Sequence, residues 1–334
     1  MKHFNIPVFI PELACPNQCV YCDQRKISGK THIPGVQDVH HIIRKYLSTL
    51  PSEECRREVA FFGGNFTGLP LKVQRSYLDA ANQWLSKGLI HGIRLSTRPD
   101  YVNREVMDLM KNYGVSCMEL GVQSLDEEVL RLSGRGHTAE QAEEAAAMVR
   151  EAGIKLGLQM MTGLPGDSPE KSLYTAKRIA DLGASITRIY PALVIKGTAL
   201  HRLMEAGSYT PLSLEETIER CKTLLLFFES REISVIRLGL HPSEGLIGGC
   251  ELAAGPFHPA LRELVMTALW EDIFRKDLLN GKKGILQVTV APAQINAAIG
   301  HKGANKKMLG RHYRRVLFKT DPQLKKRAYY ADHC

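Results

Sequence analysis

Three cysteines stand close together near the start of the chain, in Cys15-Pro-Asn-Gln-Cys19-Val-Tyr-Cys22. With eight cysteines in 334 residues the chain is no disulfide scaffold, and random placement does not crowd three of them so tightly. In a reducing compartment such crowding signals metal binding or catalysis. Thiolates are soft donors that suit iron–sulfur clusters and zinc. A structural zinc takes four ligands, and no nearby histidine or second cysteine pair completes that set. Cys55, Cys117, Cys221, Cys250 and Cys334 are scattered and carry no assigned role, since isolated cysteines mostly behave as small buried hydrophobes.

Further chemical side chains recur at intervals. Phe61-Phe62-Gly63-Gly64-Asn65 places two residues without a Cβ at a strand end, where backbone carbonyls can approach a ligand. Ser96-Thr97-Arg98-Pro99-Asp100, Glu119-Leu-Gly-Val-Gln123, Arg135-Gly-His137-Thr138 and Gln159-Met-Met-Thr-Gly163 follow. Each is an ordinary strand end when taken alone. The elements that must position them are strands predicted at 5–10, 58–62, 92–97, 116–122, 155–161 and 185–193. They alternate with amphipathic helices at 36–50, 71–87, 103–113, 138–152 and 168–182. Thr138 with Gln141 and Ser168 with Lys171 mark helix starts, and Gly114, Gly153 and Gly183 mark helix ends. Six strands alternating with helices read as a parallel α/β assembly whose sites lie at the C-terminal strand ends. Beyond residue 200 come a helix over 212–230, a strand over 233–240 and a helix over 258–279.

In order and spacing these motifs resemble the radical S-adenosylmethionine (SAM) superfamily, and within it the radical SAM portion of the elongator catalytic subunit and the oxygen-independent coproporphyrinogen oxidases. Arg188-Ile-Tyr190-Pro191 and Arg237-Leu-Gly239 follow the elongator pattern. The resemblance spans roughly residues 5–265 and implies a partial (βα)6 TIM-type barrel over 1–205, with a C-terminal extension over 206–279. It implies a [4Fe–4S] cluster on Cys15, Cys19 and Cys22, with SAM on the open iron and cleaved to a 5′-deoxyadenosyl radical. By the same resemblance Tyr21 lies beside the adenine, and Gly63, Gly64 and Asn65 bind the SAM amino group. Gln123 and Gln159 face the ribose, Arg135 pairs with the carboxylate, and Glu119 joins the cofactor-binding set. A low-potential electron donor of flavodoxin or ferredoxin type is the implied partner. The elongator enzyme continues into an acetyltransferase domain, for which this chain is too short, so its particular reaction is not carried over.

The formal charge of +9 is unevenly placed. Residues 275–334 hold fourteen Lys/Arg against three Asp, a net +11, which leaves 1–274 at −2. A near-neutral body with a basic end suits a polyanionic partner. Within that end, strand 286–292, helix 294–299, Gly300-His301-Lys302-Gly303, helix 304–312 and strand 316–319 follow the order of a KH RNA-binding module. Residues 280–334 are therefore expected to form a small α+β KH-like basic domain that meets RNA at Gly300, His301, Lys302 and Gly303. The leading expectation is a radical SAM enzyme that modifies RNA, most specifically transfer RNA. The alternatives are a radical SAM enzyme for a small molecule such as a tetrapyrrole or metabolite, and a non-catalytic metal-containing RNA-binding protein. No apolar run reaches the roughly 18–20 residues that span a bilayer. The first residues make a poor signal peptide, so the expected location is the cytoplasm, away from membranes.

Overall fold

Seven parallel strands carry the site. The computed structural model describes residues 2–10, 15, 19–29, 32–51, 55–240, 244–279 and 284–333. In chain order the strands are β1 (Lys2–Phe9), β2 (Cys55–Phe62), β3 (Gly92–Thr97), β4 (Val115–Gln123), β5 (Lys155–Thr162), β6 (Ile186–Pro191), a two-residue β7 (Val194–Ile195), β8 (Ser234–Leu238) and β9 (Leu252–Ala254). The main sheet runs β1-β2-β3-β4-β5-β6-β8, and β7 pairs antiparallel with β9. Its strand order follows the chain without reversal, as in a barrel rather than a doubly wound sheet. A six-stranded partial barrel was expected, and the difference is β8, which joins the free edge of β6 as a seventh parallel strand.

Local signals explain the alternation. Thr138 caps the helix Ala139–Glu151 by accepting from the Gln141 N–H, and the Gln141 side chain returns the bond. Ser168 caps Pro169–Asp181 by accepting from the Lys171 N–H, with no returned bond. Gly114, Gly153 and Gly183 take φ values of +66°, +71° and +74°, the left-handed turn that ends a helix.

By its contacts the chain forms two compact units, 1–213 with 227–257 and 214–226 with 258–334. The expected boundary at 279/280 therefore falls inside the second unit. Helix Leu261–Leu278 brings Trp270, Phe274 and Leu278 to that unit's core, against Leu286, Val288 and Val290 of β10 (Ile285–Val290). Its own hydrophobic face decides its allegiance. β10 lies between a parallel β11 (Arg315–Thr320) and an antiparallel β12 (Tyr329–His333), a strand without a sequence signal. Helices Ile295–Ile299 and Ala304–Leu309 flank the Gly300–Gly303 turn. Among the described residues no helix is long and apolar enough to cross a membrane.

Within the first unit, Gly157 of β5 leaves room for a site residue. A Cβ there would come within 2.9 Å of both Glu119 Cγ and Ile186 Cγ1. Gly157→Ala is expected to cost about 1–3 kcal/mol by overpacking, read by urea unfolding. Unchanged stability would show that the barrel interior gives way at this point.

Candidate functional site

The cysteine loop begins where β1 and β2 end together. Ile10 N–H donates to the Phe62 carbonyl at 2.7 Å, so the chain enters the loop beside Gly63. Gly63 has φ +95°, and a Cβ there would sit 3.3 Å from the Ile10 carbonyl oxygen. The far side of the loop is anchored as well. Val20 N–H donates to the Ser133 carbonyl at 3.0 Å, and Leu200 N–H donates to the Val20 carbonyl at 2.7 Å. Residues 16–18, between the first two cysteines, lie outside the described residues.

Arg135, in the turn between helices Glu127–Leu132 and Ala139–Glu151, reaches the loop. It is 6% exposed. One terminal nitrogen, Nη1, donates to Cys19 Sγ at 3.5 Å, and the other, Nη2, donates to the Gly121 carbonyl. Its Nε is buried without a hydrogen-bond partner among the described residues, and so is Gln123 Oε1. Gln123 ends β4 at φ +65°, across a register shift between Gly121 and Gln123. A non-glycine residue held there stores strain of the kind that gathers at functional sites. Gly121 lets the two side chains meet, since a Cβ would lie 2.8 Å from Gln123 Nε2 and 3.2 Å from Arg135 Nη2.

A second guanidinium lies behind the first. Arg98 Nε and Nη2 donate to the two Asp100 oxygens at 3.0 and 2.8 Å, and Nη2 also donates to the Arg135 carbonyl at 2.8 Å. Burial pushes the Cys15 thiol up, while Arg98 and Arg135 pull it down. Tyr21 is buried beside Cys19 and Cys22, and burial holds its hydroxyl well above the usual range. His137 is 4% exposed. Burial, seconded by the Arg135 charge, drives its imidazole down to about 3.

Asn65 accepts from Thr97 Oγ1 at 2.6 Å and from the Arg98 N–H at 3.2 Å, so its carbonyl faces the end of β3. With Ile10, Phe62, Gly64 and Ser96 it lines a pocket at these strand ends. Glu119 and Gln159 lie deeper. Glu119 is clasped by Arg188 through both carboxylate oxygens and accepts from Gln159 Nε2 at 3.1 Å. Gln159 also donates to Ser96 at 3.2 Å. The Arg188 guanidinium lies 4.9 Å over the Phe62 ring. The expected cofactor residues thus separate into two groups. Tyr21, Gln123 and Arg135 gather at the cysteine loop, whereas Glu119 and Gln159 belong to an ionic cluster inside the barrel. Among the described residues no three His, Cys, Asp or Glu side chains stand together as a metal-binding group.

Sequence reasoning missed Arg98, Asp100 and His137 as site residues and gave Arg188 no role. Arg98 and Asp100 flank a proline in a motif already marked at the strand end, which is the one signal that could have paired them.

In the second unit, Gly300, Lys302 and Gly303 have φ values of +85°, +51° and +73°. His301 N–H donates to Thr267 Oγ1 and Gly303 N–H to the Gly300 carbonyl, both at 2.8 Å. Two amides expected to face a phosphodiester are thereby used inside the turn, and Lys302 projects as an exposed charge.

Residues 10–179 match the radical SAM superfamily and residues 184–271 the Radical_SAM C-terminal domain. The chain is 32% identical over 182 residues to a tRNA uridine(34) acetyltransferase of Methanocaldococcus infernus, covering 48% of this chain and 34% of that protein. It is 31% identical over 188 residues to Elongator complex protein 3 of Saccharomyces cerevisiae, covering 50% and 34%. The chain thus spans about a third of the length of these two relatives. The structure of the Methanocaldococcus infernus Elp3 with an N-terminal deletion shares the fold, with a TM-score of 0.61 and 23% identity over 82% of this chain and 63% of that one.

The His137 ring gives a measurable pH dependence. In the unfolded chain it takes up a proton below its ordinary value of 6.5, while in the folded chain it stays neutral down to about 3. Its contribution to stability is therefore complete above pH 6.5 and is lost as the pH falls from there toward 3. His137→Gln should flatten that stretch of the metal-free protein's stability profile by an amount on the order of a few kcal/mol. An identical acid limb in the variant would assign the proton uptake elsewhere.

Proposed function

The chain belongs to the radical SAM superfamily of enzymes, and from that premise we propose that it binds a [4Fe–4S] cluster and SAM at the Cys15–Cys22 loop and modifies RNA, most specifically a transfer RNA. The observation that carries this reading is the cysteine loop held against buried Arg135 at the C-terminal end of β4. The residues present fit such a group. The loop carries three cysteines, soft donors suited to such a group, and the orphaned Arg135 Nε and Gln123 Oε1 are buried polar atoms that need partners. When bound, the cluster supplies the electron that cleaves SAM to methionine and a hydrogen-abstracting 5′-deoxyadenosyl radical. A low-potential protein of flavodoxin or ferredoxin type is the donor that suits this role.

The chain's own residues do the positioning. Cys15, Cys19 and Cys22 would hold the cluster as thiolates. The free Arg135 Nε is the donor for the methionine carboxylate, as a charge-assisted bond. Backbone carbonyls of Gly63 and Gly64 take the SAM ammonium, and Asn65 fixes that loop to β3. Gln123 offers its carbonyl to a ribose hydroxyl, and Tyr21 borders the adenine. Gln159, with its amide hydrogens engaged by Ser96 and Glu119, is the second candidate acceptor for a ribose hydroxyl through its carbonyl oxygen. Glu119 acts through Gln159 and Arg188 rather than on the cofactor directly.

RNA is favoured over a small molecule by the +11 net charge of residues 275–334 and by the likeness to tRNA-modifying proteins. The second unit is read as KH-like, with Gly300, His301, Lys302 and Gly303 as the RNA contact. Since two of the turn's amides are engaged, the contact depends on Lys302 and on exposed Lys306 and Lys307.

Anaerobic reconstitution of the wild type is expected to yield one four-iron cluster per chain, absent from the triple Cys15/Cys19/Cys22→Ala protein. Arg135→Ala should weaken SAM binding by about 1.5–3 kcal/mol, roughly ten- to a hundredfold. A full iron load in the triple variant, or unchanged SAM affinity in Arg135→Ala, would refute the corresponding assignment.

For the RNA contact, His301→Asp combined with Lys302→Asp should cut RNA affinity sharply while the cluster stays. Wild-type affinity should also fall steeply with salt, because each neutralised phosphate releases counterions. If wild-type protein binds no RNA at low salt, the small-molecule substrate takes precedence.

A further inference from the structure

We propose that Arg98 is a positioning residue for the iron–sulfur site: with Arg135 it sets a pair of buried positive charges against the sulfurs of Cys15 and Cys19 and raises the reduction potential of the cluster they hold. The inference rests on the cluster assignment above and adds a residue to which that assignment gives no part.

Arg98 is among the largest fully buried side chains, at 2% exposure. A buried guanidinium is costly unless it is paired and hydrogen-bonded. Asp100 pairs it in a two-pronged bond, and the Arg135 carbonyl takes a third N–H. The remaining nitrogen, Nη1, is buried with no hydrogen-bond partner among the described residues, and the Cys15 and Cys19 sulfurs lie within reach of the guanidinium's charge. Arg135 donates to the same loop, to Cys19 Sγ at 3.5 Å. Arg98 also holds the Arg135 backbone carbonyl, which ties the two residues together at the cysteine loop.

Both guanidiniums act on the loaded site. Net charge, hydrogen bonds to sulfur and solvent exposure set the potential of a thiolate-held cluster. Positive charge beside the sulfurs stabilises the reduced, more negative form. Asp100 moderates this effect, since its carboxylate offsets part of the Arg98 charge.

The arrangement makes two variants move in opposite directions. In the full-length reconstituted protein, EPR-monitored redox titration should place Arg98→Gln at a more negative midpoint than wild type. The expected change is about tenfold in the reduced-to-oxidised ratio at a fixed potential, about 59 mV for a one-electron couple. Arg98→Lys should restore most of the shift, and Asp100→Asn should move the midpoint the other way. Iron content is measured in each variant, so that loss of the cluster is separated from a change in its potential.

A full iron load with wild-type midpoints in both Arg98→Gln and Asp100→Asn would overturn the proposal while leaving the cluster assignment intact. Shifts of the same sign in both variants, or loss of iron in all three, would reduce Arg98 to a structural prop. A wild-type protein with no cluster would overturn the assignment and the inference together.

Discussion

The site depends on one guanidinium having somewhere to put its hydrogens. Arg135 lies away from solvent, and a charge so placed must be surrounded by acceptors. Its two terminal nitrogens find the Gly121 carbonyl and the Cys19 sulfur. That demand joins the end of β4 to the cysteine loop. It also explains the local irregularities, because the register shift beyond Gly121 and the left-handed Gln123 turn the strand end toward the loop. The missing side chain at Gly121 is the space in which these groups meet.

Behind this junction the barrel interior is ionic where parallel sheets are usually apolar. Glu58 lies near Arg94, Arg94 near Glu119, and Glu119 binds Arg188, so charges alternate from β2 through β3 and β4 to β6. Such pairs add little net stability, but removing one partner leaves a buried charge unpaired. Their effect here is geometric. Glu119 holds Gln159, which in turn donates to Ser96, and the Arg188 guanidinium lies over the Phe62 ring beside the pocket at the strand ends. The pocket end of the barrel is therefore braced by buried, paired charges.

The second unit follows a different logic. Trp270 and Phe274 fill a small apolar core, and Thr267 on the same helix anchors the Gly300–Gly303 turn through the His301 amide. The turn is shaped by hydrogen bonds within the unit, and its charges are left outside. The polyanion contact proposed above rests on those outward-facing lysines.

Much of this was legible without coordinates. Period-two and helical patterns, caps such as Thr138 and terminators such as Gly153 act over a few residues, so all seven strands of the main sheet were readable in order, and only the pairing of β8 with β6 was not. The cysteine spacing is likewise a local property, and the chemistry of three soft donors follows from it. The tertiary structure alone decided what depends on contacts between distant residues. Leu261–Leu278 reads as a helix in either unit, and only the packing of Trp270 assigned it to the second. β12 has no strong hydrophobic alternation and exists because β10 offers it an edge. Glu119 and Gln159 looked like strand-end ligands because their residue types suit that work, yet Arg188, 69 residues from Glu119, claims the carboxylate. Arg98 was passed over because nothing near it in sequence announces a sulfur more than seventy positions away. Short-range order is encoded where it is used, whereas the pairing of buried charges is settled only when the strands close around them.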